Sequence, residues 1–514
     1  FALGGVTLTN VDATEDDVIV LNETLYDVPR EPDAVAWVCP SKSKGKAGTK
    51  YCLIATANEG DFNGGSRGFT LFDRHGGVRY DSGNSYDHLA VRTGHYPEGR
   101  SENKGSEPES IEFANFNGRK LLFVGSERGS FIGVYDVSDG KVTFRQILAG
   151  PLGPEGLLAI PSRNLLVVSG EEDDPDFGVR SSIMIYKLSK GPANYPQIVS
   201  ADDKAGNPIP WSAMSGMVAD PYNDKSLLAV WDSFYSESRI FRMDVSKTPA
   251  VVTSATTIRG GTGNYDPEGL AAAPDHTFWI ASEGNRSGSR PNRLLQTDYH
   301  GNVLQEIGLP AEIEACRAAS ANTGSLGAGF EGVAVLPGKR GYKLLVAQQR
   351  GWDYTTPECE HLDDDPGGVN AGEPRQTRIW IYDPKSGHWG HIAYELEPLP
   401  QNASWVGLSE ITRTPSGSYV IIERDNRTGD FAELKTLVKV SPKVARDGRI
   451  SRKEKRVYNL LPDMLRDNGW ISDKPEGVAI TKKGKVYLVT DNDGVDDWSG
   501  ETQLLRLGRV WDLF

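Results

Sequence analysis

The residues best suited to chemistry in this chain are carboxylates that return at a fixed place in a repeated pattern. It is plainest from Lys474 to Gly494, where Lys-Pro-Glu-Gly-Val-Ala-Ile passes through a short turn into Val-Tyr-Leu-Val-Thr-Asp-Asn-Asp-Gly. Two antiparallel strands joined by a tight turn bring the start of the first and the end of the second to one edge of a sheet. The pattern therefore predicts that Glu476 and Asp491 lie close together. Across the chain the corner acids are Asp33, Glu109, Glu155, Glu268, Glu331, Glu410 and Glu476. The acids ending the second strands are Glu59, Glu127, Glu171, Asp232, Glu283, Glu423 and Asp491, and Ser215 and Gln349 stand where acids are expected.

So many carboxylates at one mouth are costly unless cations lie among them. Arg67, Arg128, Arg286, Arg350 and Arg424 follow closely on the second-strand ends, and bidentate pairing with the acids would satisfy much of the charge without any function. A hard metal is the other cation. Carboxylate oxygens with almost no histidine or thiol nearby favour Ca2+, with Mg2+ or Mn2+ as alternatives, over zinc. Asp491-Asn492-Asp493-Gly494 starts like a calcium loop but lacks the distal Glu of an EF-hand. Glu171 to Asp174 and Asp363 to Asp365 are acid runs that bind calcium or simply face solvent. No Gly-x-Ser-x-Gly elbow occurs, and the eight histidines show no zinc-ligand spacing of the His-x-x-x-His kind. Hydrolysis by a water activated at a metal, with arginines holding an anionic substrate, is the most consistent chemistry.

The elements that must position these acids are short strands. The unit recurs eight times, at a spacing of roughly 50 to 80 residues that suits elaborated propeller blades. Third strands are expected at Gly68 to Asp73, Phe131 to Val137, Ser182 to Leu188, Arg239 to Val245, Arg293 to Tyr299, Thr377 to Asp383, Thr436 to Val440 and Gln503 to Leu507. The fold class is all-β: residues 1–514 as a single closed β-propeller of eight four-stranded blades, or seven with one unit displaced. Residues 1–32 are the N-terminal closing segment, with Leu3 to Thr9 or Val18 to Asn22 adding the missing strand of the last blade and removing an open edge. The main helical candidates are short, at Pro310 to Ala319 and Leu460 to Asn468. Insertions at 81–104 and 353–375 are long enough to cap the ring, and long loops on a rigid scaffold are where function concentrates.

Composition narrows the function classes. With 57 Gly and 30 Pro in 514 residues and few amphipathic helical patterns, the chain is turn-rich. A net charge of -14 and no basic stripe argue against nucleic acid as a partner. No apolar run is long enough for a transmembrane segment, and an initial Phe reads as a processed chain without its signal peptide. The four cysteines fall in two local pairs, Cys39 with Cys52 and Cys316 with Cys359. Local disulfides imply an oxidising compartment, so the chain is expected to be secreted, extracellular or periplasmic. Sequons at Asn22, Asn285, Asn402 and Asn426 permit glycosylation in a eukaryotic secretory route.

The motifs Ala57-Asn58-Glu59-Gly60-Asp61, Arg100 to Glu109, Phe-Val-Gly-Ser-Glu127-Arg128 and Phe330-Glu331-Gly-Val-Ala-Val resemble the family described as having the esterase-like activity of phytase. They are similar also to choice-of-anchor propellers, which include mesenchyme-specific cell-surface glycoproteins. The resemblance covers most of the chain and implies an extracellular, metal-dependent propeller with phosphoester hydrolysis as its activity. The leading expectation is a calcium-dependent phosphoesterase acting on a small anionic phosphoester. Glu109, Glu268, Glu331 and Glu476 are the candidate catalytic residues. Glu59, Glu127, Glu155, Glu171, Glu283, Glu410, Glu423, Asp491 and Asp493 are the candidate metal ligands, and Arg67, Arg128, Arg350 and Arg424 contact phosphate. One alternative is a non-catalytic propeller stiffened by calcium and associated with a cell surface or matrix. The other is a lactonase-like hydrolase using one calcium.

Overall fold

A computed structural model describes the chain apart from residues 1–2, 40–51, 61–64, 139–140, 174–180, 286, 323–328, 340, 354–355, 361–375, 442, 444–447, 466–469, 473 and 496–500. It is an all-β protein, 49% strand and 9% helix. Eight sheets, antiparallel through their first three strands, follow one another along the chain, numbered here 1 to 8. Their first strands are Pro32–Val38, Pro108–Phe116, Pro154–Ile160, Met214–Ala219, Pro267–Ala272, Phe330–Gly338, Val406–Arg413 and Pro475–Ile480. In each, the second strand pairs with the first and the third with the second. All eight third strands fall within a residue or two of the positions expected from the hydrophobic pattern. Those patterns are strong because both faces of most strands are covered, so the apolar runs are nearly continuous.

The chain forms two compact units. The first comprises residues 1–213, 248–251 and 492–502, and contains sheets 1 to 3. The first strand of sheet 2 lies between those of sheets 1 and 3, and Phe123, Val134, Leu166 and Val168 fill the space between sheets 2 and 3. The insertion at 81–104 carries a helix, Ser85–Thr93. It ends at Gly94 in the left-handed conformation, φ 73°, and a Cβ there would come 2.7 Å from the Trp211 ring. Only glycine satisfies both demands.

The N-terminal stretch does not complete the last sheet. Gly5–Val11 pairs instead with Glu23–Pro29 in a separate antiparallel hairpin, and Val18 to Asn22 is not a strand. Leu8, Val11 and Val28 give this hairpin an apolar cluster of its own, which explains why it pairs with itself.

The second unit contains the first three strands of each of sheets 4 to 8. Apolar side chains fill each space between successive sheets: Val230 and Ile280 between 4 and 5, Trp279 and Trp380 between 5 and 6, Leu345 and Ile421 between 6 and 7, and Ile422 and Leu488 between 7 and 8. The first strands meet in cyclic order, 4 beside 5, 5 beside 6, 6 beside 7, 7 beside 8, and 8 beside 4. Within this unit five first strands complete the cycle by themselves. The reason is close backbone approach: Gly216 lies against the Glu268 carbonyl, Gly269 against that of Glu331, and Gly477 against that of Ser215.

The helix expected near Pro310 spans Ala311–Asn322, and that near Leu460 is the single turn Leu461–Met464. Both expected disulfides form, Cys39–Cys52 and Cys316–Cys359. Most of the insertion at 353–375, with Asp363 to Asp365, lies outside the described residues.

Candidate functional site

All the corner acids except Glu410 are explained by one backbone device. In sheet 5, Pro267 pairs with Ser282 and Gly269 with Ala281, leaving Glu268 unopposed as a β-bulge. The same irregularity isolates Asp33, Glu109, Glu155 and Glu476 in sheets 1, 2, 3 and 8, and in sheet 6 a longer one between Phe330 and Val333 takes in Glu331 with Gly332. A bulge re-aims the side chain of the extra residue, so the Pro-Glu-Gly motif sends a carboxylate out of the sheet plane. Ser215 falls within the bulge of sheet 4, and Ser409 is the bulge residue of sheet 7.

In the second unit the bulges of sheets 5, 6 and 8 bring Glu268, Glu331 and Glu476 together, with one carboxylate oxygen from each within 4.8 Å of the others. Each acid is held by a different donor. Ser215 Oγ donates to Glu268 Oε2 at 2.9 Å, Gln349 Nε2 to Glu331 Oε1 at 2.7 Å, and Arg424 Nη2 to Glu476 Oε1 at 2.6 Å. Glu476 Oε2 is buried and accepts no hydrogen bond. Burial, followed by the charge of neighbouring acids, holds the Glu268 and Glu331 carboxyls well above the usual range. Asp266 and Glu283 form a second close group with Glu268. Desolvation raises both, and the Asp266 charge raises Glu283 further.

Two arginines flank this centre. Arg424 is buried, with Nε donating to Ser409 Oγ at 2.8 Å. Its guanidinium lies 4.9 Å from the Trp405 ring centroid, and that of Arg350 lies 4.6 Å from the same centroid. Arg350 Nε donates to Gln349 Oε1 at 3.0 Å. Half-buried Trp405 thus carries two guanidinium groups beside three carboxylates.

In the first unit, oxygens of Glu59, Glu107, Glu109 and Glu127 lie within 4.8 Å of one another. Glu127 and Glu171 are hydrogen-bonded, and burial together with those bonds pushes Glu127 up while Glu171 is lowered. Glu155 is raised by desolvation and then by Glu171. Arg128 Nη2 lies 2.8 Å from Glu127 Oε1. Arg67 is fully buried; its guanidinium donates to the carbonyls of Asp12 and Ser101, and Nη1 lies 3.8 Å from Asp87. It fastens the insertion at 81–104 to the chain around Asp12.

The profile of the phytase-like family, described by the esterase-like activity of phytase, matches residues 209–494. The chain belongs to the phytase-like family. The phytase-like match takes in the Glu268, Glu331 and Glu476 centre and the first three strands of each of sheets 4 to 7, while a choice-of-anchor I domain matches residues 55–140. No curated protein matches the chain. Among solved structures, hydrazine synthase of Kuenenia stuttgartiensis is similar at 16% identity, over 78% of this chain and 95% of that one, with a TM-score of 0.30. Virginiamycin B lyase from Staphylococcus aureus is similar at 12% identity, over 78% and 95%, with a TM-score of 0.27. A luciferin-regenerating enzyme is similar at 8% identity, over 76% and 89%, with a TM-score of 0.31. At such scores the likeness carries no argument.

The phytase-like region also corrects the sequence expectations in sheet 7. There Leu408 pairs with Glu423 and Glu410 with Ile422, so the site positions are Ser409 and Arg424, one residue away from Glu410 and Glu423. Glu410 stands where the first strands of sheets 3, 4, 5, 6 and 8 carry glycine, and its carboxylate accepts from the backbone amides of Met217 and Ile411. Glu423 faces away and accepts from Tyr394 Oη and Lys455 Nζ, both at 2.8 Å. Both acids are consumed in structure, and neither belongs to a close carboxylate group among the described residues. Asp491 lies 3.4 Å from Lys474 Nζ. Within Asp491 to Gly494 the Asn492 amide donates to the Gly94 carbonyl and accepts from Ser212 Oγ and the Ala213 amide, and Asp493 stands next to it in the left-handed conformation. Glu107 and Lys104 were missed as site residues because they precede the bulge and lie outside the repeat, although Lys104-Gly-Ser-Glu-Pro-Glu109 is a visibly charged run.

Proposed function

We propose that the protein is a secreted, divalent-cation-dependent phosphoesterase whose site is the Glu268, Glu331 and Glu476 centre of the phytase-like region. The observation that supports this is the convergence of three carboxylates from three first strands, each with one oxygen held by a fixed donor. The donor set fits a hard cation. It is all oxygen, and Glu476 Oε2 is a buried acceptor with nothing donating to it. Glu268, Glu331 and Glu476 would hold the cation, for which calcium is our choice. When bound, it supplies positive charge to polarise a phosphoryl oxygen and to acidify a nearby water. The chain's own contribution is to bind and orient. Arg424, pinned by Ser409 and Glu476, and Arg350, stacked on Trp405, hold the anionic ester. Glu109 belongs to the cluster of the other unit and takes no part here. The two disulfides support an extracellular setting.

The test is hydrolysis of p-nitrophenyl phosphate and bis-p-nitrophenyl phosphate by metal-stripped protein, with Ca2+, Mg2+ and Mn2+ titrated back. Cation-dependent turnover that Glu331→Gln abolishes is expected. One observation favours a second reading: Arg67, Arg128 and Arg424 are already engaged by carboxylates of the chain, as in a calcium-stiffened propeller that binds a cell surface or matrix. Absence of turnover on both esters, with calcium still raising the melting temperature, would select that second reading.

A further inference from the structure

Glu107 is fully buried, and neither of its carboxylate oxygens accepts a hydrogen bond. The closest charges stand back from it: Arg100 Nε is 3.5 Å from Oε1, and Arg128 Nε and Lys104 Nζ are 3.5 and 3.8 Å from Oε2. A buried carboxylate in this condition is costly unless something else ligates it. What faces it is three further acids, Glu59, Glu109 and Glu127, each offering an oxygen within 4.8 Å. Two oxygens on opposite sides of a calcium ion stand up to about 4.8 Å apart, from a Ca–O distance of about 2.4 Å. The cluster therefore has the size of one coordination shell. Asp33 and Glu155 add charge beside Glu109, and Glu171 and Glu172 beside Glu127 and Arg128. Against these eight acids stand three cations, Arg100, Lys104 and Arg128.

We propose that the first unit holds a divalent-cation site of its own, ligated by Glu59, Glu107, Glu109 and Glu127 and separate from the centre of the phytase-like region. Its ligands come from three places. Glu59 follows the second strand of sheet 1, Leu53–Asn58, Glu109 lies in the first strand of sheet 2, and Glu127 directly follows its second strand, Arg119–Ser126. Glu107 ends the loop that follows Glu98–Arg100. A bound cation clamps that loop onto two sheets. Lys104 Nζ, 2.6 Å from Glu59 Oε1, occupies part of the charge and must shift when the cation enters. The ligand class is a hard divalent cation, calcium first.

Calorimetric titration of the metal-stripped full chain with CaCl2 tests this. Wild type is expected to take up two equivalents, and Glu107→Gln and Glu59→Gln each one. Glu331→Gln also takes up one, because it empties the other centre. Lys104→Met is expected to tighten the retained site about tenfold, by removing a competing cation. If Glu107→Gln fails to fold, half-buried Glu59 carries the test. A wild-type protein that takes up no calcium, or variants at Glu59 and Glu107 that fold and bind as wild type does, would overturn the proposal. One equivalent lost with Glu107→Gln and kept with Glu331→Gln would uphold this site and remove the cation from the proposed function.

Discussion

Arg424 shows how much one side chain can settle. It occupies a position that holds an acid in most of the other sheets, bonds Ser409 beside it, and neutralises Glu476 in the next sheet. Arg424→Gln is expected to destabilise the protein by about 3 kcal/mol, because breaking a buried pair strands its partner; the midpoint of urea unfolding measures it. His95 offers a pH test. Its ring is fully buried between the Gly129 carbonyl and Tyr195 Oη, and burial pulls it from 6.5 to about 4. The folded value lies below the unfolded one, so the unfolded chain takes up the proton first as pH falls. The associated stability is complete above about pH 6.5 and is lost on going down to about 4, an effect of about 3 kcal/mol. His95→Gln should flatten that limb of the stability–pH curve. The acids of the bulges were legible in the sequence because Pro-Glu-Gly recurs. The substitution of Ser409 and Arg424 was not, because the pleat of sheet 7 is offset by one residue and Glu410 and Glu423 imitate the motif at the wrong phase.

At the scale of elements, the strongest constraint is Gly94 at the end of helix Ser85–Thr93. Gly94→Ala must hold a left-handed φ and push a methyl group into Trp211. A loss of about 2 kcal/mol or more is expected from strain and overpacking combined, read as a lower thermal midpoint. The disulfide Cys316–Cys359 closes a separation of 43 residues between helix Ala311–Asn322 and the segment after sheet 6's second strand. Replacing both cysteines by serine should cost about 4 kcal/mol on the chain-entropy scale. Strands and disulfides could be read in advance because hydrophobic runs and local cysteine pairs are local signals. The N-terminal hairpin could not, since either of its strands pairs equally well on paper with the open edge of sheet 8, and only the apolar contacts of Leu8, Val11 and Val28 decide.

At the scale of the whole molecule, the number of first strands that meet in a cycle was hidden from the repeat. Eight copies imply eight sheets, but which first strands become neighbours depends on backbone approach at the residues after the bulges, such as Gly269 and Gly477. Cation dependence is the property to measure here. At a free calcium concentration a hundred times Kd, each occupied site adds about 2.7 kcal/mol to stability. Chelation with EDTA should lower the unfolding midpoint, and an unchanged midpoint would argue against both acid clusters as cation sites.

The cycle in the second unit also has a consequence in time. Sheet 8 lies beside sheet 4, and Arg506 Nη1 donates to the Val245 carbonyl across 261 residues of sequence. On a ribosome adding about 5 to 20 residues per second, the strands of sheet 4 wait roughly 10 to 50 s for their last neighbour to emerge. Throughout that interval the side of sheet 4 that sheet 8 will cover is bare. The growing polypeptide is therefore a natural client for a holding chaperone, and a nascent chain arrested just before Pro475 should bind one more tightly than the released protein does.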